Sequence, residues 1–127
     1  MPVQLNHTIV AARDRQATAG FLASILGLEV GAPYGPFLPV TTSNDVTLDV
    51  SETRQPIASQ HYAFLVSEDE FDEIFDRIQR AGIAYYADPG HRQPGRINHN
   101  DGGRGLYFDD PNGHNLEIIT RPYGSQA

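Results

Sequence analysis

The sequence predicts an α+β fold of two tandem βαβββ modules, and three observations carry that prediction. The first is a restart: a strand-like run around His7 leads into a helical run ending at Gly27, and the same order returns from His61 to Gly82, at separations of 20 and 21 residues. The second is a matched pair of segments, Leu48-Asp49-Val50 and Leu116-Glu117-Ile118, each a carboxylate between aliphatic neighbours. The third is periodicity, which switches from alternation to helical spacing and back within each half. Module one covers about residues 1–55 and module two about 60–124 of a single domain spanning 1–127. Duplication places matching positions near a pseudo-two-fold axis, so eight strands are expected to form one cupped, mostly antiparallel sheet around a polar centre.

Each element has a local cause. Val3 to Ala11 is β-branched and apolar, hence a strand. Asp14 is the N-cap of a helix to Leu26, with Phe21, Leu22, Ile25 and Leu26 at helical spacing and Gly27 as its terminator. Leu28-Glu29-Val30 begins a strand, and the Pro- and Gly-rich run from Gly31 to Pro39 is a loop between strands. Asp45 to Ser51 alternates, with Val46, Leu48 and Val50 facing one way and Thr47, Asp49 and Ser51 the other. Arg54 to Ser59 is a polar linker. In module two, His61 to Val66 is a strand. Ser67 or Asp69 caps a helix to about Ala81 with Phe71, Ile74, Phe75 and Ile78 as its buried stripe. Ile83 to Tyr86 is a strand, and residues 87–104 form a long loop. Leu106 to Phe108, the turn Asp109-Asp110-Pro111-Asn112-Gly113 and Asn115 to Thr120 complete the module as a hairpin.

Composition narrows the function. A chain of 127 residues with 39% hydrophobic and 20% charged residues can bury a core of its own. Its net charge of -7 argues against nucleic acid or an anionic membrane as partner. All nine basic residues are Arg, which excludes lysine Schiff-base chemistry, and the lack of Cys excludes disulfides and thiolate chemistry. No apolar run reaches membrane-spanning length and no basic segment leads into an apolar one near the start, so a soluble, cytoplasmic protein is expected.

The duplication makes His7 and His61 partners, and likewise Asp49 and Glu117. Glu117 on an apolar strand is costly to bury unless paired or bound to a cation. Four such side chains on paired strands have the chemistry of a divalent metal site. With LNHTIV at the start, HYAFLV opening module two and YFDDPNGHNLE near the end, the whole chain resembles the vicinal oxygen chelate superfamily of glyoxalases, fosfomycin- and bleomycin-resistance proteins and extradiol dioxygenases. The resemblance implies metal ligands at His7, His61 and Glu117. It also implies a small-molecule substrate, a homodimer and a divalent cofactor, with Fe(II) favoured and Mn(II), Ni(II) or Zn(II) as alternatives.

One motif points to a reaction. Ile97-Asn98-His99, six residues, Leu106-Tyr107, two residues, Asp110-Pro111-Asn112-Gly113, three residues and Glu117 match the extradiol signature throughout. That match implies an extradiol-type dioxygenase acting on a small vicinal-diol or catechol-like aromatic, with His99 and Tyr107 near the substrate oxygens and Asp49 as a further base. There are departures. No His lies between residues 41 and 60, where many such enzymes carry one, and there are two modules rather than four. Ile9 stands where fosfomycin-modifying relatives place Thr, and Asp49 is shorter than the Glu or Gln of glyoxalase I. Arg92, Arg96 and Arg104 are candidates for a glutathione-binding charge or a solubilising face. The alternatives are therefore a glyoxalase-type isomerase or lyase with a Lewis-acid metal, and a binder that sequesters an aromatic compound. His114 is read as structural, and His91 as a loop residue without a special role.

Overall fold

The computed structural model describes residues 2–125, and its chain divides into two units, Met1–Ala58 and Ser59–Ala127. In the first unit, β1 (His7–Ala12) leads through Asp14 into α1 (Arg15–Leu26). The Asp14 carboxylate accepts from the Ala17 N–H at 3.1 Å, satisfying one of the orphan donors of the first turn. Gly27 ends the helix at φ 72°, a left-handed conformation in which a side chain would be strained. Strands β2 (Phe37–Thr41) and β3 (Thr47–Glu52) follow, giving the order β1-β3-β2, with β1 parallel and β2 antiparallel to β3. Val10, Ala12, Leu38, Val40, Leu48 and Val50 are buried on one sheet face, and Ala19, Leu22 and Ile25 are the buried residues of α1. The opposite face carries His7, Ile9, Thr47, Asp49 and Pro39.

The second unit repeats this plan. Strand β4 (His61–Leu65) is followed by α2 (Glu68–Arg80), then β5 (Gly105–Asp109) and β6 (Asn115–Ile119). Its order is β4-β6-β5, again with the helix-preceding strand parallel to the central one. Ser67, not Asp69, is the N-cap of α2, because it forms a capping box with Glu70 in which each side chain bonds the other's backbone N–H. Three acidic residues in the first turn and two Arg in the last complement the helix dipole. The stripe Phe71, Ile74 and Ile78 is buried with Leu106, Phe108, Leu116 and Ile118. Phe75 is only half-buried and meets Tyr85 edge-on at 5.0 Å.

Among the described residues each unit carries three strands, and the expected fourth is reduced to isolated bridges. Val30 bridges Val40, and no continuous ladder follows because Pro33 has no N–H to offer; pairing returns only as the bridge between Tyr34 and Phe37. Tyr86 bridges Tyr107, and Asp88-Pro89-Gly90 then turns the chain away. Conversely, the strand β2 runs through Pro39, inside a stretch expected to be loop. It is an edge strand, where a proline costs no interior ladder bond, and the Pro39 carbonyl accepts from the Gly31 N–H at 2.8 Å. The strand expected from Asp45 starts at Thr47, since Thr42 to Val46 close the hairpin with Asp45 at φ 64°.

Candidate functional site

Residue alternation puts Glu117 on the helix-free face of the second sheet. It lies opposite Ala63 on β4 and Tyr107 on β5, and it is 0% exposed. A carboxylate so placed must have both oxygens satisfied. One oxygen, Oε1, lies 3.0 Å from His61 Nε2, and the other accepts a hydrogen bond from the Tyr123 hydroxyl.

The other ring nitrogen of His61 decides what this contact means. His61 Nδ1 is 2.9 Å from the backbone carbonyl of Asn115, an acceptor only, so Nδ1 carries the hydrogen and donates it. Nε2 then faces a carboxylate oxygen either with a second proton, which it donates, or with a lone pair, which a cation shares. Two electron-rich atoms stay 3.0 Å apart only if a proton or a cation lies between them. Two ligands each ~2.1 Å from one ion and at a right angle to each other are ~3 Å apart, so the spacing suits a metal. A backbone carbonyl fixing Nδ1–H is also the usual way a ligating imidazole is oriented.

Tyr107 is 5% exposed and its ring stacks on His61, with centroids 5.9 Å apart. Its hydroxyl is 2.9 Å from that of Tyr123. Because Tyr123 donates to Glu117, the Tyr107 O–H donates to Tyr123, completing a chain from Tyr107 through Tyr123 and Glu117 to His61. Burial, and then the hydrogen bonds to Tyr123 and Glu117, raise the Tyr107 pKa far above the ordinary phenol value. Tyr123 is raised too, first by burial and then by Glu117. Both phenols hold their protons.

In the first unit His7 and Asp49 share the helix-free face. The register reproduces that of the second unit: His7 stands opposite Thr47, two residues before Asp49, as His61 stands opposite Asn115, two before Glu117. The His7 Nδ1 donates to the Asn6 side-chain carbonyl at 2.8 Å, which leaves Nε2 as the nitrogen that can meet a ligand. A cleft of about 470 Å³ runs over this face, bordered by His7, Asp49, Tyr34, Phe37 and Pro39. Taken by itself, each unit offers two metal donors, and no group of three or more forms among the described residues.

Other expected residues divide clearly. His99 is exposed, just before the short 3₁₀ turn Asn100–Gly102. That turn reaches the Tyr123 segment, where the Asp101 carboxylate accepts from the Gly124 N–H at 3.1 Å. His114 is structural as expected: it is fully buried, and Nδ1 accepts from the Gln60 N–H at 3.0 Å. His91 is more engaged than a bystander. It stacks on Tyr86 at 4.0 Å, and Nε2 is 3.5 Å from Asp109 and 3.4 Å from the Asn115 side chain. Arg104 is occupied by Glu68 and Asp72, both at 2.8 Å, and lies over the Phe71 ring, so its charge is spent on anchoring α2. Tyr123 escapes sequence reasoning. Its signal is slight, an aromatic beyond the last strand between Pro122 and Gly124.

Comparison with known proteins gives this geometry a context. Residues 4–118 match the family model described as the Glyoxalase/Bleomycin resistance protein/Dioxygenase superfamily. The chain is similar to the solved structure of Oxidase ChaP-H2, at 68% identity and a TM-score of 0.98 over 100% of both chains. It is also similar to Oxidase ChaP-H1, at 60% identity and a TM-score of 0.95 over 98% of this chain and 100% of that one. Among curated proteins, Glutathione transferase FosA from Serratia marcescens is 32% identical over 120 residues, covering 90% of this chain and 78% of that protein.

Proposed function

The chain belongs to the Glyoxalase/Bleomycin resistance protein/Dioxygenase superfamily, and from that premise we propose that it is a metal-dependent, extradiol-type dioxygenase acting on a small catechol-like aromatic. His7, His61 and Glu117 are the ligands in this reading, and Fe(II) is the favoured ion. One observation carries it: with Nδ1–H committed to the Asn115 carbonyl, His61 Nε2 is held 3.0 Å from a buried carboxylate oxygen, a spacing that suits two ligands of one ion. The corresponding commitment of His7 Nδ1 to Asn6 supports adding the first-module histidine. The name oxidase borne by two similar structures supports the choice of reaction. The reading also includes a single domain with a cupped sheet drawn from both modules, and a homodimer.

When bound, the metal supplies a Lewis-acidic, redox-active centre at which substrate oxygens and O₂ can be gathered. The chain's own residues do the rest. Glu117 and His61 bring one negative charge and one neutral nitrogen, leaving positions for substrate. Asp49, on the same sheet face as His7 beside an aromatic-edged cleft, is the base for a substrate hydroxyl proton. Tyr34 and Phe37 offer ring faces to a planar substrate. Tyr107 acts on Glu117 together with Tyr123, because its hydroxyl is hydrogen-bonded to both. His99 remains the candidate donor from the loop.

A second reading, a transferase or glyoxalase-type enzyme with a Lewis-acid metal, is favoured by the similarity to FosA. Anaerobic reconstitution with Fe(II), then a panel of catechols under O₂, separates the two. Oxygen uptake with a yellow ring-opened product is expected from at least one catechol. Turnover of hemithioacetal or thiol-addition substrates with Mn(II), Ni(II) or Zn(II), and no oxygen uptake with any catechol, rejects the dioxygenase.

A further inference from the structure

Tyr123 lies just beyond β6, in the segment Pro122-Tyr123-Gly124, and nothing in the extradiol signature includes it. Its surroundings fix it in place. Gly124 turns at φ 72° with its N–H on the Asp101 carboxylate, and the Ser125 N–H returns to the Pro122 carbonyl at 3.2 Å. The side chain as a whole is 59% exposed, yet its hydroxyl is spent on Glu117, which is wholly buried. A tyrosine serving only as packing would bury its ring and leave the hydroxyl at the surface. Tyr123 does the reverse.

The hydrogen-bond directions give this a purpose. Tyr123 donates to Glu117 Oε2 and its oxygen lies 2.9 Å from the Tyr107 hydroxyl, so turning away would lose both contacts. With Oε2 held, only Oε1 remains beside His61 Nε2. We propose that Tyr123 is a positioning residue of the metal centre: its hydroxyl holds Glu117 as a one-oxygen ligand and selects the oxygen that faces the ion. The inference rests on the reading of Glu117 as a ligand.

Co(II) uptake by the 127-residue chain tests both levels, read by chelator competition and by the visible ligand-field spectrum. Tyr123→Phe keeps the ring and removes the hydroxyl. It is expected to weaken Co(II) binding by ~10- to 100-fold, the usual effect of losing a partner that orients a ligand, and to change the spectrum as the carboxylate is freed. Asp101→Ala, which releases the Gly124 N–H without altering the tyrosine, should shift affinity in the same direction by less. A merely structural Tyr123 would lower the melting temperature and leave affinity and spectrum alone. Wild-type affinity within twofold and a superimposable spectrum in both variants overturn the positioning role while the ligand assignment stands. A wild-type chain that takes up no Co(II) removes the ligand assignment, and the inference with it.

Discussion

Glu117→Gln separates a metal ligand from a structural ion pair, because the two make opposite demands on the same atoms. Glutamine has the shape of glutamate, and its amide oxygen can still accept from the Tyr123 hydroxyl. Its amide nitrogen would then face His61 Nε2, where the carboxylate oxygen is now 3.0 Å away. If His61 is neutral without the metal, Nε2 carries a lone pair, the amide N–H donates to it and both contacts survive. Replacing a fully buried charge by a fully bonded neutral group then leaves the metal-free protein within about 1 kcal/mol of wild type, or more stable. If instead a protonated His61 is the partner, the substitution removes one half of a charge pair. Breaking such a pair costs roughly 3–5 kcal/mol in full burial. The His61 side chain is 47% exposed, so screening reduces the cost to about 1–3 kcal/mol. Urea unfolding of chelator-treated protein at pH 7, with metal binding measured in parallel, gives the answer. We expect unchanged or raised metal-free stability and a loss of metal binding of at least a hundredfold. A drop of more than about 2 kcal/mol with binding retained would refute the lone-pair argument.

Two further outcomes follow from the structure. Ser67→Ala should cost about 1 kcal/mol by dissolving the capping box of α2. The backbone and side-chain bonds from Ser67 hold Glu70 below the usual carboxylate range, so their stabilisation is present above the unfolded pKa and lost as pH falls through the folded one. Wild type should therefore lose more stability than Ser67→Ala in acid melts, and parallel curves would contradict the box. At the alkaline end, Tyr62, Tyr107 and Tyr123 all have raised pKa values. Their contribution is complete below about pH 10, where unfolded tyrosines begin to ionise, and fades above it. Ultraviolet titration should show Tyr107 ionising only as the protein unfolds, and its ionisation before unfolding would count against the buried hydroxyl.

Much of the fold was legible because short-range chemistry dictates it. Asp14, Ser67 and Gly27 act within a turn of their own positions, and alternation alone put Glu117 and Asp49 on the faces they occupy. The register of His7 with Thr47 is repeated by that of His61 with Asn115. The misses depend on longer-range partners. Pro39 discouraged a strand, and only its edge position makes one acceptable. Val30 and Tyr86 have strand-like side chains, but a ladder needs consecutive partners, and the following Gly and Pro residues withhold them. Tyr123 could not be read at all. Its importance comes from where the chain returns after β6, held by Asp101 some twenty residues earlier in the loop.

The central claim, that His7, His61 and Glu117 hold one divalent ion, is tested most directly by elemental mass spectrometry after reconstitution with Fe(II) and desalting. The account predicts close to one metal per wild-type chain and almost none in a His7→Ala, His61→Ala double variant that retains its circular dichroism. Stoichiometric metal in that folded variant, or none in the wild type, would contradict it.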